Sequence, residues 1–388
     1  MKKKICILGS TGSIGKTTLK IIQKDKKKYK IILLTTNKNI QLLKNQAIKF
    51  NVRNLIVFDK NKFNQLKKIF KNRKINIFNN IKDFNKIFLK NKVDYTMSAI
   101  AGFPGLEPTL EIIKFSKKIA IANKESIICA WNLIENKLKK YNTKFIPIDS
   151  EHFSIWSLLD RKINTNLEKI IITASGGPFL NLPFKNFKQI KPENAIKHPN
   201  WIMGKKISID SSTLMNKVFE VIEAKKIFKI DIKKFEILIH RDSYVHAIVK
   251  FNNGLSKILV HDTNMIVPIF NSLDDFEYSK LKTNDLNIKK LNNLNLTKVD
   301  LKRFPVVNIL KKIPAKSSLF ETVLVSANDE LVDLFLKKQI PYLDIAKIIT
   351  KILSLKKFAR YKDISPKNYK QIFVLNKYVR LQTKIFSV

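Results

Sequence analysis

Glycine recurs at every third position over Gly9, Gly12 and Gly15, between an apolar run and a helical pattern. Lys4–Leu8 reads as a buried strand, and 16–23 carries the helical apolar period. Such glycines permit a tight turn and let backbone amides approach a pyrophosphate resting on a helix N-terminus. The spacing G-x-x-G-x-x-G departs from the commoner G-x-G-x-x-G, so the flanking strand and helix carry the reading. Gly15-Lys16-Thr17 imitates a Walker A ending, but Ser10 stands where that motif requires glycine.

Strand-like runs then alternate with helical ones at Ile31–Thr35, Leu55–Phe58, Val93–Met97, Lys118–Ala122 and Lys144–Ile148. This alternation predicts an α/β fold with a Rossmann-like, doubly wound parallel sheet. After the second strand come Asn37, Lys38 and Asn39, with no acidic residue to bond ribose hydroxyls. A lysine between two amides suits a 2′-phosphate, hence NADP; the other reading makes Lys38 one more surface lysine. Asn123-Lys124-Glu125-Ser126 closes a strand end, where ligands of open α/β sheets gather. Lys124 is therefore a candidate contact for a substrate oxygen, against the same surface-lysine alternative.

The alternation stops at Asp149-Ser150-Glu151-His152. In extended chain, Asp149 and Glu151 point to the same side. Converging carboxylates repel, protonate or share a cation. A hard divalent cation is one reading; a helix cap at Asp149 or Ser150 is the other.

Beyond this seam, Leu167–Thr173 predicts a strand running into Ser175-Gly176-Gly177-Pro178, either a phosphate-holding nest or a plain turn. His198-Pro199-Asn200-Trp201-Ile202-Met203-Gly204 is either a lid or a loop anchored by one buried Trp. A helix is expected from Ser211, capped by Asp210 or Ser211, with Asn216, Lys217 and Glu220 on one face. Glu220 could add a third metal oxygen while Ser211, Asn216 and Lys217 bind a phosphate monoester. The alternative is an exposed salt bridge. Phe235–His240, Val245–Phe251 and Leu255–Val260 alternate as antiparallel strands and could form a dimer face. Asp285–Leu301 predicts a linker, and three helical runs after Phe304 predict a small bundle. The expected organisation is thus 1–149 dinucleotide-binding, 150–284 α+β catalytic with the dimer-forming sheet, 285–303 linker and 304–388 helical.

The 388 residues carry 74 basic and 31 acidic side chains, a net +43. Only seven of the basic residues are arginines, and the lysines run along the whole length. A nucleic-acid face clusters arginine with aromatics, so this charge reads as a biased but solvated surface that favours anionic substrates. Cys6 and Cys129 both lie in apolar runs and predict buried thiols in a reducing, cytoplasmic setting. No apolar run approaches membrane-spanning length, and the chain is expected to open directly on its first strand.

Six motifs occur in order: Gly9–Gly15, Ala122-Asn-Lys-Glu-Ser126, Asp149-Ser-Glu-His152, Ser175-Gly-Gly-Pro178, His198-Pro-Asn-Trp201, and Met215-Asn-Lys217 with Glu220. On these the chain resembles the 1-deoxy-D-xylulose 5-phosphate reductoisomerase family over essentially its full length. The resemblance implies a homodimer that converts 1-deoxy-D-xylulose 5-phosphate to 2-C-methyl-D-erythritol 4-phosphate by a retro-aldol and aldol path. It implies NADPH and Mg²⁺, Mn²⁺ or Co²⁺ as cofactors, in isoprenoid precursor synthesis. By the same resemblance, Asp149, Glu151 and Glu220 are metal ligands. Lys124, Ser150, Glu151, Ser175, His198, Ser211, Asn216, Lys217 and Glu220 line the substrate, with Lys124 and His198 counted among the catalytic set. Thr11, Gly12, Ser13, Ile14, Asn37, Lys38, Asn39, Asn123, Glu125 and Gly204 hold NADPH, and Trp201 and Met203 lie in the lid. Four places depart from the family pattern: Asn37 and Val218 replace glycines, Arg241-Asp242 replaces a Pro-Gln pair, and Thr263–Val267 lacks a usual Asp and Arg.

Two rival classes fare worse. An aldehyde dehydrogenase working through a thioester needs a cysteine in the second domain, and both lie in the first. An RNA-binding protein without catalysis has no need of this complete set of acids and bases.

Overall fold

The computed structural model describes residues 1–89, 91–159, 166–201, 203–274 and 280–387. It divides into two compact units. The first comprises Met1–Ile127, Asn132–Asp149 and Met265–Leu281; the second comprises Ile128–Trp131, Ser150–Asn264 and Lys282–Val388. The 265–281 stretch, expected within the central segment, therefore belongs with the dinucleotide-type fold. Its helix Ile266–Asp274 buries Ile269 and Leu273 in that core. Ile202, noted in the sequence, lies outside the described residues.

The first unit holds seven strands: β1 Lys3–Leu8, β2 Tyr29–Thr36, β3 Asn54–Val57, β4 Asn76–Phe78, β5 Tyr95–Ser98, β6 Lys118–Ile121 and β7 Lys144–Pro147. They form one sheet in the order β4-β3-β2-β1-β5-β6-β7, and every pairing is parallel. Parallel strands covered on both faces read as continuous apolar runs, as Ile5–Leu8 does with all four residues fully buried. Strand order reverses between β1 and β5, which is where such sheets bind ligands.

The glycine turn leaves β1 at that switch point. Gly9 adopts φ 78°, and a Cβ there would stand 2.7 Å from the Ala99 carbonyl oxygen just after β5. Gly15 lies in the first turn of the helix Ser13–Lys24, and a Cβ on it would lie 2.4 Å from the Gly9 carbonyl oxygen. The third glycine thus sets how closely helix and strand pack. Gly15→Ala is expected to cost on the order of 1–3 kcal/mol, since the obstacle is rigid backbone. Urea unfolding tests this, and an unchanged midpoint would show that the turn yields.

The second unit contains β8 Leu167–Ala174, β9 Phe235–Ile239, β10 Val245–Phe251, β11 Ser256–Val260 and β12 Thr297–Lys298, in the order β11-β10-β8-β9-β12. The β10–β11 hairpin is antiparallel and turns at Gly254, φ 86°. β9, expected to join an antiparallel run, instead pairs with β8 in parallel. The helix Met215–Phe228 between them supplies the crossover that a parallel pair needs. The expected linker is not structureless either: 297–298 adds an edge strand to β9, and Ile288–Asn292 is a short helix capped by the Asn287 side chain. The C-terminal part is helical, with Phe320–Leu336 almost wholly buried beside Tyr342–Ile352 and Tyr369–Ser387. Among the described residues, no helix is long and apolar enough to cross a membrane.

Candidate active site

β7 ends at Pro147 and a helix begins at Ser150, running to Leu158. Extended-chain alternation therefore does not bring Asp149 and Glu151 together, contrary to expectation. The strand-to-helix turn does so, with Asp149 on its outer end and Glu151 in the first helical turn. Each of Asp149, Glu151 and Glu220 offers a carboxylate oxygen within 4.8 Å of the others. Glu151 and Glu220 are buried, and Asp149 is half-buried.

Ammonium groups satisfy this negative charge. Lys124 Nζ lies 2.5 Å from Asp149 Oδ2. Lys217 Nζ donates to Glu151 Oε1 at 2.5 Å and to Glu220 Oε2 at 2.6 Å. Burial disfavours the ammonium of Lys217, but Glu151 and Glu220 outweigh this and hold its pKa well above the ordinary value. Burial likewise opposes ionisation of Glu151, yet Lys217 and His246 beside it keep that carboxyl well below the usual range. Asn216 Nδ2 donates to the second oxygen of Glu220 at 2.5 Å, and Ser150 Oγ donates to Glu151. His152 Nε2 meets the Glu220 backbone carbonyl at 2.8 Å, which ties the two helices together. The salt bridge that could have been an exposed surface pair is thus a buried part of an acid cluster.

The helix carrying these residues does not begin at Ser211. Ser211 lies in the preceding helix, Lys205–Ser212, and the chain then breaks at Leu214, which takes φ 64°. Thr213 Oγ1 accepts the Met215 amide at 3.3 Å, and Leu214 stands at the cap position, so neither Asp210 nor Ser211 caps this helix as expected. Asp210 is buried instead, bonded by Asn328 Nδ2 at 2.7 Å and by Lys206 Nζ at 3.1 Å.

Gly176 and Gly177 are buried and have φ of 79° and 66°, the left-handed backbone that glycine takes without strain. A Cβ on Gly177 would stand 2.9 Å from Ser212 Cα and 3.0 Å from the Ser211 carbonyl, so only glycine lets this turn lie against Ser211. Ser175 Oγ accepts the Gly177 amide at 3.1 Å and lies 3.0 Å from His198 Nε2. His198 Nδ1 accepts the amides of Asn200 at 3.1 Å and Trp201 at 3.0 Å, which leaves the ring proton on Nε2. With both lone pairs of Ser175 Oγ filled, its own hydrogen is left to donate to an incoming anion.

Trp201 and Met203, expected as exposed lid residues, are half-buried, and the Trp201 ring meets His246 edge-on at 6.2 Å. Sequence reading overlooked His246, whose ring stacks on His261 at 3.8 Å and lies 4.0 Å from Glu151. Nothing in its local sequence marks it, because it meets the acid only where the helix Ser150–Leu158 packs on β10.

Burial, with Lys217 adding to it, lowers the pKa of His198 from 6.5 to about 4. The folded value lies below the unfolded one, so the unfolded chain takes the proton first as pH falls. The stability contributed by neutral His198 is therefore complete above pH 6.5 and declines between about 6.5 and 4. Imidazole nitrogen NMR should find His198 neutral and Nε2-protonated at pH 6, with a midpoint near 4. A midpoint near 6.5 would contradict this environment.

The predicted dinucleotide residues lie at or beside the carboxyl ends of β1, β2 and β6, except Gly204, an exposed residue at the start of Lys205–Ser212. Gly12, Ser13, Asn37, Lys38 and Asn39 are exposed, while Thr11 and Ile14 are half-buried. Thr11 and Thr36 share a hydroxyl hydrogen bond at 2.7 Å. Asn39 caps the next helix through the Leu42 amide at 3.1 Å. Asn123 is fully committed: its amide donates to the Ile100 and Gly102 carbonyls at 2.5 and 2.7 Å, and its oxygen accepts the Ser126 amide at 2.5 Å. Its side chain shapes the Gly102–Gly105 loop and leaves only backbone for a ligand. Glu125 is half-buried next to it.

A doubly wound sheet with a glycine-rich first turn, in a chain that gathers three carboxylates, defines a metal-dependent oxidoreductase. The 1-deoxy-D-xylulose 5-phosphate reductoisomerase of Pelagibacter ubique is 59% identical over 387 residues, the whole of both chains. The chain belongs to the 1-deoxy-D-xylulose 5-phosphate reductoisomerase family. Models of this family match residues 5–131, and models of its C-terminal domains match 145–228 and 261–382. The enzyme of Wolbachia pipientis is 37% identical over 94% of this chain and 92% of its own. Among solved structures, the Zymomonas mobilis enzyme in complex with NADPH is 31% identical and superposes with a TM-score of 0.87, covering 100% of this chain and 99% of that one. A reductoisomerase in complex with NADPH, fosmidomycin and magnesium is 29% identical, with a TM-score of 0.90 over 99% and 98% of the two chains.

Proposed function

We propose that this chain converts 1-deoxy-D-xylulose 5-phosphate to 2-C-methyl-D-erythritol 4-phosphate, using NADPH and one divalent cation. The observation that carries the reading is the convergence of Asp149, Glu151 and Glu220 in a member of this family. The donor set fits a cation: three hard oxygens lie within reach of one centre, and two lysine ammonium groups occupy their negative field. Asp149, Glu151 and Glu220 would hold the ion, which supplies Lewis acidity toward the ketone and hydroxyl oxygens of the sugar. NADPH supplies the hydride.

The remaining work falls to the chain's own side chains. Lys124 is paired with Asp149 and is held to offset charge on the same substrate oxygens. Ser150, by donating to Glu151, fixes which oxygen of that acid faces outward. The phosphate is held by Ser175, Ser211, Asn216 and Lys217, with His198 orienting the Ser175 hydroxyl. Lys217 exchanges its acid partners for phosphate oxygens when a cation relieves it. Binding at this non-reacting end supports closure of the 198–204 segment, where Trp201 and Met203 exclude water. Thr11, Gly12, Ser13 and Ile14 would take the pyrophosphate, and Asn37, Lys38 and Asn39 the 2′-phosphate. Glu125 and Gly204 complete the NADPH contacts.

In this reading 1–149 together with 265–281 carries the dinucleotide, 150–264 the chemistry, and 304–388 a helical support. The chain acts as a homodimer through the edge of β11, where Leu255 and Ile258 are exposed; sedimentation equilibrium showing only monomer would remove that element. The buried Cys6 and Cys129, neither of them in a disulfide, fit a reducing cytoplasm. The direct test is oxidation of NADPH on addition of the sugar phosphate, abolished by a chelator and restored by Mn²⁺. NADPH loss that ignores the chelator, or none with any divalent metal, would refute the assignment.

A further inference from the structure

The turn that carries Ser175 is pinned from behind. After Ser175-Gly176-Gly177-Pro178 the chain turns again at 179–182, where the Leu182 amide donates to the Phe179 carbonyl at 3.1 Å. Arg303 Nη1 donates to the carbonyls of both Phe179 and Leu182 at 2.7 Å. Its guanidinium lies over the rings of Phe184 and Phe187, 4.7 and 5.2 Å from their centroids. Leu180, inside this turn, lies against Gly176, where a Cβ would stand 2.8 Å from Leu180 Cδ1. Arg303 thus fixes the turn, and through Leu180 the turn bears on the backbone next to Ser175.

Ser211 is held by a separate set of contacts. Its neighbours Asp210 and Ser212 are 1% and 0% exposed. Asn328 bonds the Asp210 carboxylate, and the Tyr342 hydroxyl donates to the Ser212 carbonyl at 2.7 Å. With Ser211 anchored in this way, the position of the 179–182 turn decides how far Ser175 stands from it.

Arginine is the informative residue type here. Only seven of the 74 basic residues are arginines, so lysine is this chain's ordinary choice wherever a bare positive charge suffices. At position 303 a point charge does not suffice. One planar group must reach two carbonyls from a single nitrogen while its face lies on aromatic rings.

We infer that Arg303 is a positioning residue for the phosphate end of the substrate, setting Ser175 against Ser211 without touching the ligand. This rests on the reading of those two serines as phosphate holders.

The test is Arg303→Lys in the full chain, which keeps the charge and removes the fork. The KM for the sugar phosphate and the inhibition constant of inorganic phosphate should both rise about tenfold, the size expected of a sub-ångström misplacement. Mn²⁺ affinity and the KM for NADPH should not change. The imidazole nitrogen signals of His198 should shift, because its Nε2 lies 3.0 Å from Ser175 Oγ. Leu180→Ala breaks the same chain of contacts at Gly176 and should raise the same two constants, so the idea stays testable if Arg303→Lys does not fold. A lower melting temperature with phosphate inhibition and His198 signals unchanged would make Arg303 a support of the fold only and overturn the inference. Ser175→Ala separates the two levels. If it leaves phosphate inhibition intact, the phosphate reading of Ser175 fails and the inference falls with it. If it weakens inhibition while Arg303→Lys and Leu180→Ala do not, the positioning role alone is overturned.

Discussion

Replacing Glu220 by Gln lowers turnover on the order of 10²–10³-fold at saturating Mn²⁺, the scale of losing one preorganised charge contact in a catalytic site. The substitution keeps the volume of a side chain that is only 2% exposed, so packing survives. It removes one of three negative charges from the cluster and places an amide where Lys217 now finds a carboxylate. The Asn216 bond to Glu220 is disturbed too, and the loss therefore reaches the phosphate end. A KM for metal that rises together with the fall in kcat assigns Glu220 to the ion. Undiminished activity removes Glu220 from the site.

Lys217→Met should act first on stability. Its ammonium joins two acids that are 10% and 2% exposed. Removing it leaves two carboxylates close together without their cation, and breaking such a buried pair costs about 3–5 kcal/mol. The deficit should be largest in chelator and should shrink as Mn²⁺ is added, because the ion binds the folded state and takes over the neutralisation. Melting curves with and without Mn²⁺ measure this. A deficit indifferent to metal would mean that Lys217 supports the fold by packing alone. Turnover stays low in either case, since the phosphate loses its ammonium.

The two predictions share one feature: residues 66 and 69 positions apart along the chain act as a unit. Neighbouring residues of the cluster were legible in the sequence, because each motif sits at an element boundary that punctuation marks. The glycine turn was readable from its flanking strand and helix, and the parallel sheet from unbroken apolar runs. Motif resemblance alone joined Asp149 to Glu220, since no periodicity spans such a separation. Short elements escaped for want of signal. β4 has three residues and β12 two, Thr-Lys, with nothing apolar to mark it. Lys205–Ser212 escaped because Lys-Lys-Ile-Ser-Ile-Asp-Ser-Ser shows a strand-like alternation, while burial against the C-terminal helices makes it helical. The break at Leu214 was hidden because left-handed backbone at a leucine contradicts its local preference. His246 was invisible because its place beside Glu151 comes from the packing of the helix Ser150–Leu158 on β10.

Titrating Mn²⁺ into the metal-free chain, followed by the loss of its free-ion paramagnetic resonance signal, examines the shared acid cluster most directly. One ion per chain should bind, and Asp149→Asn, Glu151→Gln and Glu220→Gln should each weaken it. A chain bearing all three substitutions that still takes up Mn²⁺ with wild-type affinity would place the ion elsewhere and contradict the account.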